Sequence, residues 1–337
     1  MFNWFFDLFT GLNGSVQFIF FIVFLIIGMV LLVKGADYFV DGASSLAKIL
    51  GVSALIIGLT IVSFGTSAPE ASVSVFSQIR DSSDISLGNV IGSNIFNTLV
   101  VLGLSAIFAP IAVHFNLVKR EIPFMIGVTV FLFLLSLFFN GEYQYALLRI
   151  EGIVLLILFI FYLYMNYVNA KQGKEVTIEI EEVVDPVPLK QSIILLIVGM
   201  VMIIIGGEFV VYGAKSAAIH IGVSEAMVGL TIVALGTSLP ELVTSVVAAR
   251  KNENEIALGN VIGSNIFNVL FILGLGSTIK PMEIRSEALV DFIILIVITL
   301  VISFSIFKYR KIDKKQGIIY LAVYVAYFLF VVLREIL

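Results

Sequence analysis

LGNVIGSNIFN at residues 87–97 returns without a single change at residues 258–268, and GLTIVSFGTSAPE at 58–70 returns as GLTIVALGTSLPE at 229–241. Both pairs are offset by 171 residues, and the same offset relates Gly51-Val52-Ser53 to Gly222-Val223-Ser224 and Gly28-Met29-Val30 to Gly199-Met200-Val201. One spacing held from residue 28 to beyond residue 268 marks an internal duplication.

The duplicated material is apolar. Hydrophobic residues make up 60% of the 337 positions and charged residues 13%, with a mean hydropathy of +1.10. A water-soluble domain is nearer half apolar and a quarter charged. Crossing about 30 Å of hydrocarbon takes about 20 residues of helix. Ten runs meet that need, at roughly 17–47, 52–79, 84–108, 117–139, 147–169, 189–219, 224–249, 256–278, 284–307 and 314–334. Five runs per copy is an odd number, so the second copy enters the bilayer upside down. The expected fold is therefore an all-α membrane protein, ten transmembrane helices arranged as two inverted five-helix repeats with broken helices at the midplane. The halves would be 1–169 and 189–337, joined by an acidic cytoplasmic linker at 170–188.

Charge sets the expected orientation. Alternate loops carry thirteen Lys and Arg on one side and six on the other. Basic loops stay in the cytoplasm, which places the linker inside and both termini outside, in the cell membrane. The N-terminus has no basic n-region and its first apolar run is too long for a signal peptide, so the first span should be retained. A net charge of -4 without a basic block gives nucleic acid no footprint. The absence of cysteine removes thiolate metal sites, disulfides and thiol catalysis. Ser67 and Ser238 have no His or Lys beside them in sequence, which argues against an enzyme, and nothing calls for a cofactor or an obligate protein partner.

Gly65-Thr66-Ser67-Ala68-Pro69-Glu70 and Gly236-Thr237-Ser238-Leu239-Pro240-Glu241 each lie inside an apolar run. Proline removes a backbone donor and clashes with the preceding turn. The helix should break at Thr66–Ala68 and restart at Pro69. Carbonyls freed inside a bilayer persist only where protein or a polar cavity satisfies them. Glu70 and Glu241 follow the break, where a carboxylate costs at least about 2.5–3.5 kcal/mol. Lys34, the only lysine well inside a span, is expected to pair locally with Asp37. With no fixed cation evident, the two acids are expected to hold a mobile one. Asn89, Ser93 and Asn97 share one helical face, as do Asn260, Ser264 and Asn268. The outer asparagines, Asn89 and Asn260, read as either interhelical glue or ligands, and the other four as ligands or their supports. The glycine pairs Gly88/Gly92 and Gly259/Gly263 should let helices approach closely. An all-oxygen donor set suits Ca²⁺, and the same oxygens can serve Na⁺. His114 and His220 sit at loop edges outside this set.

These doubled GTSxPE and GNVIGSN motifs resemble the two α-repeats of the cation/calcium exchanger superfamily, and specifically its sodium/calcium exchanger branch. The resemblance implies an antiporter that swaps Na⁺ for Ca²⁺ by alternating access. It implies calcium held by the side chains of Glu70 and Glu241 and the carbonyls of Thr66 and Thr237. Flanking sodium sites would use Ser67 and Ser264 with the carbonyl of Ser63, and Ser238 and Ser93 with the carbonyl of Ala234, with Asn97 and Asn268 at the centre. An amide at Asn268, where the potassium-dependent branch often has an acid, argues against potassium cotransport. Ile91 and Gly92, where the proton-coupled branch usually has an acid or histidine, favour sodium over the alternative of H⁺/Ca²⁺ exchange. A cation channel is a further alternative. The long, glycine-rich first and sixth spans are the expected moving parts.

Overall fold

The structure, a computed structural model, describes residues 14–113, 117–137, 145–172, 187–223 and 234–336. It is helical, as the absence of water demands of a chain whose backbone must bond to itself. Helix α1 spans Gly14–Leu50, and α2 (Ala54–Thr66) meets α3 (Ala68–Ile79) at a bend of 50°. Then come α4 (Ser83–Phe108), α5 (Leu117–Leu137) and α6 (Arg149–Gln172). The second half holds α7 (Leu189–His220), the short α8 (Ala234–Gly236), α9 (Leu239–Arg250), α10 (Asn254–Ile279), α11 (Ser286–Tyr309) and α12 (Lys314–Ile336).

Eight of these helices are long and apolar enough to cross a membrane, or nine if α2 and α3 count as one bent span. The ten-span expectation is thus met for eight runs among the described residues, or for nine with α2 and α3 taken as the bent run 52–79. The remaining run, 224–249, begins outside the described residues and is represented here by α8 and α9. Most of the expected linker, residues 173–186, and His114 also lie outside them.

Two helices form the centre. In their most apolar 18-residue windows α4 is 83% buried and α10 94%, against 22% for α1 and 28% for α7. The motif helices are therefore wrapped by protein, while most residues in the corresponding windows of α1 and α7 are not buried. Two short antiparallel ribbons stitch the halves together. Strand β1 (Ile111–Ala112) pairs with β4 (Lys311–Ile312), with Ile111 opposite Ile312. Strand β2 (Ala146–Leu147) pairs with β3 (Met282–Glu283), with Leu147 opposite Met282. Each ribbon takes one strand from each half.

Helices α1 and α7 run against each other through glycines. A Cβ on Gly28 would lie 2.7 Å from the carbonyl oxygen of Gly206, one on Gly35 2.9 Å from that of Gly199, and one on Gly42 2.8 Å from that of Ser192. Backbone touches backbone along the seam. The expected glycine contacts in the core are met in one half. A Cβ on Gly263 would lie 2.6 Å from the Leu59 carbonyl oxygen, and one on Gly259 2.9 Å from Gly58. Gly88 and Gly92 differ from expectation: among the described residues nothing comes within 4 Å of a Cβ at either. They line a cavity of about 510 Å³ instead. The repeat-mates of Gly58 and Leu59, at 229 and 230, fall outside the described residues.

Candidate functional site

Both helix breaks form where proline requires. Ser67 (φ -82°, ψ 7°) closes α2 and Ser238 (φ -90°, ψ 6°) precedes α9, leaving the helical region at the same repeat position. Pro69 and Pro240 then sit in the first turn of α3 and α9, where a missing N–H costs nothing. Because Pro69 has no N–H, the carbonyl of Gly65 four residues earlier has no helical donor.

Glu70 and Glu241 fall in the first turns of α3 and α9, both 0% exposed. A helix N-terminus stabilises an adjacent carboxylate by about 0.3–1 kcal/mol, and about 2 kcal/mol in the best buried geometry. That offsets only part of the cost of burial in a membrane. Among the described residues neither acid forms an ion pair with Lys, Arg or His. The neighbours are hydroxyls, and the nearest one to each acid comes from the opposite half. Ser238 Oγ donates to Glu70 Oε1 at 2.8 Å, and Ser67 Oγ donates to Glu241 Oε1 at 2.8 Å. Ser93 Oγ lies 3.0 Å from Ser238 Oγ, and Ser264 Oγ reaches Glu241 Oε1 at 3.5 Å. A hydroxyl has one proton, so Ser238 accepts from Ser93 while it donates to Glu70.

The threonines and outer asparagines form the layer behind. Thr66 Oγ1 donates to Asn260 Oδ1 at 2.9 Å, and Thr237 Oγ1 donates to Asn89 Oδ1 at 3.3 Å. The amide of Asn260 donates to the Glu241 carbonyl (3.3 Å) and Ser245 Oγ (2.9 Å); that of Asn89 donates to the Glu70 carbonyl (3.3 Å) and Ser74 Oγ (2.9 Å). Of the two readings open for Asn89 and Asn260, the geometry matches interhelical glue. The Ser63 carbonyl accepts the Ser67 N–H at 3.0 Å, and Ala234 opens α8.

The centre is held by asparagines. Asn97 Nδ2 donates to Asn265 Oδ1 at 3.2 Å, and Asn268 Nδ2 donates to Asn94 Oδ1 at 3.0 Å. Asn265 Nδ2 in turn donates to Thr98 Oγ1 at 2.9 Å. This network fixes which atom of each amide is oxygen and leaves four buried acceptors with no donor: Glu70 Oε2, Glu241 Oε2, Asn97 Oδ1 and Asn268 Oδ1. They are two repeat-related pairs. A buried acceptor left unmatched costs about 1–3 kcal/mol, more when charged. Four of them, with donors spent elsewhere, suit a cation. Among the described residues no group of three His, Cys, Asp or Glu gathers anywhere.

Three features escaped the sequence reading. Asn94 and Asn265 lock the two halves together; their signal was invariance between the copies. Asn97 and Asn268 each open a π-helical stretch, Asn97–Val101 and Asn268–Leu273. Such stretches collect at functional sites. Lys34 does pair with Asp37, at 4.0 Å, but Asp37 is also 3.5 Å from Lys251, which the sequence presents only as a loop charge. His220 packs against Phe18 and Phe21 at the end of α7, away from the acids.

With broken helices, paired acids and amide centre in place, comparison with known proteins is decisive. A family model described as sodium/calcium exchanger protein matches residues 20–168 and 191–333, both halves of the duplication. The chain belongs to the sodium/calcium exchanger family. An uncharacterized membrane protein of Methanocaldococcus jannaschii, MJ0091, is 38% identical over 304 residues, covering 90% of this chain and 95% of that protein. The sodium/calcium exchanger MaX1 of Methanosarcina acetivorans is 32% identical over 338 aligned positions, covering 90% of this chain and 96% of its own. A solved structure of the sodium-calcium exchanger NCX_Mj, soaked with Na⁺ and Ca²⁺, superposes with a TM-score of 0.79 at 36% identity, covering 91% of this chain and 97% of that one. Members of this family are exchangers rather than enzymes. The chain is an integral, multi-pass membrane protein of that kind.

Proposed function

We propose that this exchanger is a secondary-active antiporter moving Ca²⁺ against Na⁺ by alternating access, electrogenically, in the cell membrane. The cargo would bind at Glu70 and Glu241 with the carbonyls of Thr66 and Thr237. Sodium would bind beside it at Ser67, Ser264 and the Ser63 carbonyl, and at Ser238, Ser93 and the Ala234 carbonyl. Asn97 and Asn268 complete the centre. The supporting observation is the set of four donor-less buried oxygens. The named relative MaX1 and the NCX_Mj structure support the choice of ions.

The reasoning is electrostatic. Two carboxylates share a water-poor site with no resident cation. An ionised, unloaded site would strand about two charges in low dielectric, at several kcal/mol per ion. Ca²⁺ neutralises both, and so do sodium ions. Only loaded forms then cross between the two open states, which gives exchange rather than leak. Both ions need the same glutamates, so they compete. The glycine-seamed pair α1/α7 is the moving body, sliding on the buried α4/α10 core. The two halves, 1–169 and 189–337, act as inverted repeats, with the linker 170–188 in the cytoplasm and both termini outside.

The test is sodium-driven ⁴⁵Ca²⁺ flux in proteoliposomes. Glu70→Gln and Glu241→Gln each keep the shape and remove one charge, and each abolishes flux in folded protein. Wild-type flux in either variant would refute the site. Running the assay with Na⁺, K⁺ and H⁺ gradients in turn separates sodium coupling from H⁺/Ca²⁺ exchange. Ca²⁺ passage with no counter-ion would indicate a channel.

A further inference from the structure

The moving pair is tied to the core at one end by charge. Lys251, the residue that caps α9, donates from Nζ to the Asp41 carboxylate at 2.7 Å and to the Asp37 carbonyl at 3.1 Å, with the Asp37 carboxylate at 3.5 Å. One turn further along α1, Ser44 Oγ donates to Glu253 Oε1 at 2.5 Å. Asp37, Asp41 and Ser44 follow i, i+4, i+7 and so form one stripe on α1. Both partners belong to the α9–α10 turn, on the core. The Lys251 side chain is only 29% exposed, so the cluster is partly shielded from water.

A basic residue at a helix C-terminus has an ordinary explanation in the helix dipole. That accounts for the cation but not for its partners. The 171-residue offset separates the two readings. It carries Lys251 onto Arg80, the capping residue of α3, and Asp37 onto Glu208 of α7. The cation and its acid thus recur as a pair, one on the core and one on the sliding body, in both copies. In this conformation Lys251 is engaged, while Arg80 forms no ion pair among the described residues. The engaged end is also the end where Gly259 packs on Gly58 and Gly263 on Leu59.

We propose that Lys251 and Arg80 are alternating latches that set which face of the site opens. Lys251 with Asp37 and Asp41 holds the α1/α7 body so that the face bearing Lys251 is shut. After the slide, Arg80 takes Glu208 and shuts the opposite face. Neither residue touches the cargo; both are positioning residues. The proposal rests on the alternating-access reading above.

The two latches have opposite signs, and that is what the experiment reads. The chain has no cysteine, so single introduced cysteines report its orientation in proteoliposomes without background. The apparent KM for Ca²⁺ is then measured at each face. Apparent affinity scales with the population of the state open to that face. Lys251→Gln lowers the KM at its own face relative to the opposite one by about five- to tenfold, the scale of a partly buried charged hydrogen bond. Asp41→Asn, on the more exposed partner, shifts the ratio the same way without risk to folding. Arg80→Gln shifts it the other way, and Lys251→Arg restores the wild-type ratio. A second readout is hydrogen–deuterium exchange in ion-free nanodiscs: Lys251→Gln speeds exchange over residues 44–57 and Arg80→Gln does not. Should flux prove not to be sodium-driven while exchange and KM ratio move as stated, the latch stands and the ion assignment falls. If Lys251→Gln and Arg80→Gln shift the ratio in the same direction, or leave it alone, the latch is wrong.

Discussion

Replacing Ser238 by alanine separates the sodium ligands from the calcium ligands. The hydroxyl is 1% exposed, donates to Glu70 Oε1 at 2.8 Å and lies 3.0 Å from Ser93 Oγ. Its removal leaves both oxygens of Glu70 without a donor and Ser93 without its acceptor. A hydrogen bond to a charged group contributes about 1.5–3 kcal/mol, which at 1.4 kcal/mol per factor of ten is about ten- to hundredfold in an equilibrium constant. Every proposed calcium ligand stays in place, and at Glu70 a bound Ca²⁺ takes over the charge that the lost donor had stabilised. In Ser238→Ala the affinity of the sodium site built on Ser238 and Ser93 should therefore fall by about ten- to hundredfold, and the calcium affinity by less than about threefold. Ser67→Ala should do the same through Glu241, since Ser67 Oγ is also 2.8 Å from its carboxylate. The assay is the sodium dependence of ⁴⁵Ca²⁺ release at fixed calcium, against the calcium dependence at fixed sodium. Equal weakening of both ions would show that these hydroxyls stabilise the carboxylates generally, and no weakening would remove them from the site.

Gly199→Ala places a Cβ 2.6 Å from the Phe39 nitrogen and 2.7 Å from the Gly35 carbonyl oxygen, at the α1/α7 seam. Overpacking of that kind costs about 1–3 kcal/mol, and a lowered Tm of the detergent-purified protein measures it. Asn260→Ala removes the acceptor of Thr66 and the donor to Ser245 and the Glu241 carbonyl. It should lower both Tm and flux, whereas loss of flux at wild-type Tm would make Asn260 a ligand instead of glue. Exchanging K⁺ for an inert cation leaves calcium flux unchanged, because position 268 carries an amide and not a third acid; a strict K⁺ requirement in the flux assay would overturn that.

The repeat, the apolar spans and the break before each glutamate were legible because they rest on local rules. Hydropathy over about 20 residues identifies a span, and proline breaks a helix whatever surrounds it. The structure shows a bend of 50° across Ser67 and an interruption of the helix at Ser238. The candidate ligands were legible as types, since serine, asparagine and glutamate inside lipid need a reason. Which of them face the centre was not. Asn89 and Asn97 share a helical face, yet one is consumed by Ser74 and Thr237 while the other keeps a bare oxygen. Gly88 and Gly92 match Gly259 and Gly263 letter for letter, yet only the second pair meets a described neighbour.

Sequence by itself determined that two copies of one lipid-soluble unit each carry a carboxylate past a forced kink. Tertiary structure alone decided that each carboxylate is held by the other copy's serine, that Asn94 and Asn265 cross-link the centre, and that Lys251 grips α1. The physical reason is range. A kink or a span is paid for within one stretch of chain, whereas a hydrogen bond between residues 168 to 174 positions apart exists only once two separate helices have been brought together.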